Sequence, residues 1–202
     1  MRVIQGIVMA IGIIAILAAV AVAIGYFLFT LTPWIQARMI PAALSLEAAK
    51  SFDQKLDGLR AEIKKATETG EKKDITLTIT ENEVNSKLGE VLAEGKLPLN
   101  LSKPLINFRD GRFLVYGIVD APGVPAKIGA VGRIEIANGS PKIVIEDFNL
   151  GKLPLSKGVS KRAEDITNIM VKLQLADWPL ELTKVSITDR QLTLSARVKT
   201  AK

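Results

Sequence analysis

The carboxylates Glu81 and Glu83, and the adjacent pair Glu164 and Asp165, are the residues of this chain whose spacing comes closest to acid–base chemistry. Two acids in one cleft can share the work of protonating a leaving group and activating water. Here the first pair competes with a simpler role, because Thr80 followed by Glu83 makes a helix capping box, and the second pair reads as a helix surface. A serine nucleophile would need a base. The chain has no His, so that base would have to be Lys, and Ser156 and Lys161 do not match a Ser-Lys spacing. With no Cys either, disulfides, thiol chemistry and the common zinc sites are excluded together. Neither a P-loop nor a dinucleotide fingerprint is present; Gly129 and Gly132 alone make neither. The expectation is no catalytic residue, no metal, no cofactor and no enzyme.

What positions the chain is its beginning. From Val3 to Leu31 there is no charged residue. A run of that length reads as a membrane-spanning helix, about 43 Å long against a hydrocarbon core of about 30 Å. Tyr26, Phe27, Phe29 and Trp34 fall at its C-terminal end, where an aromatic belt lies, and Pro33 marks a break. Ala21-Val22-Ala23 fits the small-x-small rule of a cleaved signal peptide, but the apolar run continues past it to Phe29, which favours a retained anchor. The short tail before the span places the N-terminus in the cytoplasm, giving a single-pass cell-membrane protein with its C-terminal domain extracytoplasmic. Ala15, Ala19 and Ala23 form a small-residue stripe on which another helix could pack.

The formal charge of +6 is uneven. Residues 39–100 carry 9 Lys and Arg against 11 Asp and Glu, and residues 101–202 carry 16 against 10. A basic domain beside a membrane suits anionic headgroups. The basic residues form no dense run or aromatic-basic motif, so nucleic acid is not an expected partner.

Three divisions follow: residues 1–38 as anchor and juxtamembrane segment, 39–74 as an amphipathic linker helix, and 75–202 as an α+β domain. Within the linker, residues 42–69 read as a helix with Phe52, Leu56, Leu59 and Ile63 on one face and a stop at Gly70. It could serve as a stalk, a short coiled coil or a lid. The domain opens with a period-two strand over 75–80, then a helix to about Glu94 with Val84, Leu88, Val91 and Leu92 as its stripe. Strands follow over 105–108 and 112–119, joined at Asp110-Gly111, and over 127–137 and 141–149, joined at Asn138-Gly139. A second helix spans about 157–175, and a last hairpin pairs 180–187 with 191–199. The order predicts an α+β fold, a curved antiparallel sheet packed by two or three amphipathic helices. The same periodicity serves a filled core and an elongated apolar groove.

The run Leu77-Thr78-Ile79-Thr80-Glu81-Asn82-Glu83-Val84-Asn85-Ser86-Lys87-Leu88 resembles the start of the YpmS-like and LmeA-like extracytoplasmic proteins. So does Asp147-Phe148-Asn149-Leu150-Gly151-Lys152-Leu153-Pro154-Leu155. Those families look related to tubular lipid-binding (TULIP-like) domains, and the resemblance implies binding or transfer of a lipid near the membrane. No polar ligand-binding residue carries over from it. Stripe and alternation nominate Val84, Leu88, Leu92, Phe113, Val115, Ile134, Ile136, Ile145, Met170, Leu173, Leu192 and Leu194 as lining an apolar groove. The expected partner is a membrane lipid, anionic lipids included. The competing expectation is a structural accessory subunit that docks on a larger membrane complex through the anchor or the 42–69 helix.

Overall fold

The computed structural model describes residues 19–20, 22–95, 101–121, 124–175, 178–188 and 190–199. Most of the predicted span, residues 1–18 and Ala21, lies outside them. Its described C-terminal part is helical over 22–30. No helix among the described residues is long and apolar enough to cross a membrane.

The fold is α+β. A 3-10 turn at Trp34–Arg38 leads to α1 (Leu46–Thr69), β1 (Asp74–Thr80) and α2 (Glu81–Ala93). Four strands follow, β2 (Leu101–Arg109), β3 (Arg112–Ala121), β4 (Val124–Ala137) and β5 (Ser140–Leu150), with a short β6 (Leu153–Pro154) that the sequence reading did not contain. The chain then forms α3 (Lys157–Leu175), β7 (Leu180–Thr188) and β8 (Gln191–Val198).

Local chemistry sets these boundaries. α1 begins at Ser45, whose hydroxyl accepts from the Ala48 N–H, so the helix starts four residues later than its apolar pattern suggests; it ends at Gly70 in the left-handed region. α2 carries the predicted capping box, with Thr80 accepting from the Glu83 N–H and Glu83 reaching back to the Thr80 N–H. Asp110-Gly111 and Asn138-Gly139 all have positive φ, as tight two-residue hairpin turns require.

The single expected sheet is two. β1, β8 and β7 form one antiparallel sheet in that order, and β2 to β6 form a second in sequence order. Loop length predicts which strands are neighbours but not where one sheet stops. The two meet because β7 engages both hairpin tips of the larger sheet: the Gly111 N–H donates to the Ile187 carbonyl, and the Leu182 N–H donates to that of Gly139. In the smaller sheet, Ile75, Leu77 and Ile79 pair with Ala196, Leu194 and Leu192 on one face. On the other face Thr76 bonds Ser195 and Thr78 bonds Thr193.

Two apolar clusters hold the molecule. One joins Ile63 and Ala66 of α1 to Ile75, Ala196 and Val198, so α1 packs on the smaller sheet. The other joins Ile35 and Met39 to Leu114, Tyr116 and Val131 on the larger sheet. Ile35 is fully buried. The residues just beyond the apolar run are thus core residues of the fold.

Candidate functional site

An apolar cavity of about 360 Å3 lies where α1, the smaller sheet and the β4–β5 hairpin converge. Leu56 and Leu59 descend from α1, which turns this stripe inward because Ile63 and Ala66 anchor its next turn. The sheet contributes Ile75, Leu77 and Ile79 from β1, Leu194 and Ala196 from β8, and Leu180 and Leu182 from β7. Opposite stand Ile134, Gly139, Ser140, Pro141 and Ile143, closed off by Trp178. Ser140 is the only lining side chain among these with a polar oxygen. The arrangement can hold hydrocarbon, and it places no acid or base against the enclosed space.

Trp178 has a second face. It borders a shallow cleft of about 290 Å3 that also touches Arg60, Lys64, Thr67 and Glu68, with the Arg60 guanidinium 5.9 Å from the indole ring. A larger cleft of about 650 Å3 lies beside the 3-10 turn. Its walls mix Arg38, Arg109 and Arg112 with Asp110, Glu146 and Asp147. Arg112 and Arg133 converge on Glu146 and hold its carboxyl below the usual range. Volume alone would select this cleft, but its walls carry three cations and three carboxylates, so the apolar cavity is the better site for hydrocarbon.

Of the groove candidates, Ile134 and Leu194 line the cavity. Val84, Leu88 and Leu92 are only half-buried on α2 and do not line it; α2 packs between α1 and β2. Phe113, Val115, Ile145 and Leu192 are half-buried elsewhere on the two sheets, and Ile136 is exposed. The side chains of Met170 and Leu173 lie outside the described residues. Leu56, Leu59, Ile75, Leu77 and Ile79 are legible in the sequence as a helix stripe and a strand alternation, patterns that do not distinguish a cavity wall from a filled core. Trp178 and the β7 residues carried no separate signal.

Three of the four carboxylates are not on the surface. Glu81, Glu83 and Glu164 are 1%, 6% and 7% exposed. They belong to a bonding pattern that occurs twice. On α2, Asn85 brackets Ile106 of β2, donating to its carbonyl and accepting its N–H, while Glu81 four residues earlier accepts the Phe108 N–H. On α3, Asn168 brackets Ile143 of β5 in the same way, while Glu164 accepts the Ile145 N–H. Each helix thereby satisfies the free edge of the larger sheet, one at β2 and one at β5 beyond the reach of β6. Arg190 pairs with Glu81 and Lys161 with Glu164, and the latter bond with the Ile145 amide holds the Glu164 carboxyl low. Burial pushes Glu83 up, but hydrogen bonds from Lys55, Ser51 and Thr80 outweigh it and set its pKa at about 2. Glu83 and Glu164 are held in the ionised form, and in all three acids both carboxylate oxygens already have a partner. Asp165 is exposed.

No family model matches this chain, and no curated protein matches it.

Proposed function

We propose that this is a membrane-anchored, non-enzymatic domain that binds or transfers a lipid or other amphiphile, with hydrocarbon in the cavity between α1, the smaller sheet and the β4–β5 hairpin. The observation that carries the reading is the lining: fifteen residues, one of them a serine and the rest apolar or glycine, around about 360 Å3. Ligand pockets run from about 300 to 1,000 Å3, so this one suits a single chain better than a diacyl lipid. The apolar run from Val3 to Leu31 supplies the tether, and the resemblance to tubular lipid-binding proteins points the same way.

Native mass spectrometry of the whole chain, released from its membranes in mild detergent, tests the reading. Wild-type protein is expected to retain a stoichiometric single-chain amphiphile, and Leu194→Trp, which fills the cavity, is expected to lose it. Retention of the same adduct by both proteins, or by neither, would remove the cavity as its site.

A second reading, a docking module on a larger membrane complex, draws on the exposure of Ile40, Leu44 and Leu46 around the start of α1. Crosslinking from Leu46 in the native membrane to one stoichiometric protein, together with a lipid-free cavity, would favour it.

A further inference from the structure

The chain leaves the apolar run without leaving the domain. The Leu28 carbonyl accepts the Lys152 N–H at 2.9 Å. Lys127 donates to the Thr32 hydroxyl at 2.9 Å, and Trp34 donates to Asp147 at 3.2 Å. Asn107 brackets Ile40, accepting its N–H and donating to its carbonyl. Gly151 sits at φ +61 with the Leu28 and Phe29 carbonyls against the place where a Cβ would stand. Segment 28–40 is therefore held to the larger sheet at both of its ends and at Thr32 to Ile35 between them.

We propose that this docking fixes the stance of the domain on the bilayer, with one end of the larger sheet against anionic phosphate headgroups and the cavity held away from them. This rests on reading residues 3–31 as a membrane span. Register identifies the end. Ser102 pairs with Ile118 and Ile118 with Lys127, while the Gly151 N–H donates to the Lys127 carbonyl. Lys103, Lys127 and Lys152 therefore lie at one end of the sheet, where the chain enters the apolar helix. Among the described residues none of the three has a carboxylate partner; Asp120 is the one acid in the same strand ends. The ion pairs of Arg112 and Arg133 with Glu146 lie toward the opposite end. That end thus presents three lysines without an ion pair among the described residues where phosphate would meet them. Along β4, Ile134 at the cavity is seven residues beyond Lys127, about 23 Å at strand rise. That exceeds the roughly 8 Å Debye length, so the cavity lies outside the field of the headgroups.

The chain has no cysteine, so single labels are unambiguous. Lys152→Cys and Lys142→Cys variants of the full chain, each carrying an environment-sensitive fluorophore, are placed in nanodiscs containing a headgroup-attached quencher. The label at 152 should be quenched several-fold more than that at 142, and more strongly in discs with anionic phospholipid than in zwitterionic ones. Gly151→Val, which displaces the docked carbonyls, should bring the two labels toward equality. Equal quenching in the parent protein overturns the fixed stance, and equal quenching in the two lipids overturns the anionic partner. Extraction of the chain from membranes by alkaline carbonate would instead overturn the span itself, and the proposal with it.

Discussion

Replacing Glu83 by Gln should flatten the acid side of the stability profile. In the fold the Glu83 carboxylate accepts from Lys55 at 2.8 Å, from Ser51 at 2.6 Å and from the Thr80 N–H at 2.8 Å, and its side chain is 8% exposed. These bonds hold its pKa at about 2 against an ordinary 4.5. A carboxyl depressed on folding contributes stability that is fully present above its unfolded pKa and is lost as pH falls through its folded one. Here the window runs from about 4.5 down to about 2, and the depression corresponds to roughly 3 kcal/mol. Urea titrations of the detergent-solubilised chain, followed by circular dichroism at several pH values from 7 to 2.5, read this directly. Glu146 and Glu164 are also held low and contribute to the wild-type slope, so the quantity of interest is the difference between the two proteins. Glu83→Gln should be less stable at pH 7, and the gap should narrow as the pH drops through 4. Parallel curves would mean that Glu83 is not ionised and latched as described.

Further outcomes follow from the same geometry. Asn168→Ala strips both partners from the Ile143 backbone and should cost about 2–3 kcal/mol by chemical denaturation, with self-association appearing as the bared β5 edge recruits other strands. Asn85→Leu should do the same at β2. Ile35→Ala, at a site with no exposure, should lower stability by about 2–5 kcal/mol although it lies next to the apolar run. Thr76→Val on the polar face of the smaller sheet breaks one exposed bond to Ser195 and should change the unfolding free energy by less than about 1 kcal/mol.

Much of the architecture could be read in advance because local signals carried it. The Thr80 and Glu83 capping box, the Gly70 stop and the two positive-φ turns are short-range devices that work wherever the surrounding chain goes. The α2 stripe misled for a physical reason. Amphipathic reasoning sends Val84, Leu88 and Leu92 inward and Glu81, Glu83 and Asn85 outward, but α2 lies against a strand edge rather than a sheet face. An edge offers backbone donors and acceptors, so the buried side of the helix is polar. The same logic buries Glu164 and turns the half-buried Asn168 toward β5. Ile35 was lost among apolar neighbours that the sequence assigns to lipid. The cavity itself could not be read, because its walls come from β1, β7, β8 and the β4–β5 hairpin, and their convergence depends on how β7 meets the two hairpin tips.

The paired latches also order the assembly of the molecule in time. Asn85 reaches only 21 residues along the chain to Ile106, and Asn168 reaches 25 back to Ile143. Pairing β1 with β8 must instead close loops of well over a hundred residues, as between Thr76 and Ser195. Loop closure costs more entropy as the separation grows, so the two helix–strand units should form early and the β1–β8 seam should close late. That seam is a wall of the apolar cavity. Its amides should exchange with solvent under native conditions ahead of those in β3 and β4, and a hydrocarbon chain entering or leaving the cavity would pass beside that seam.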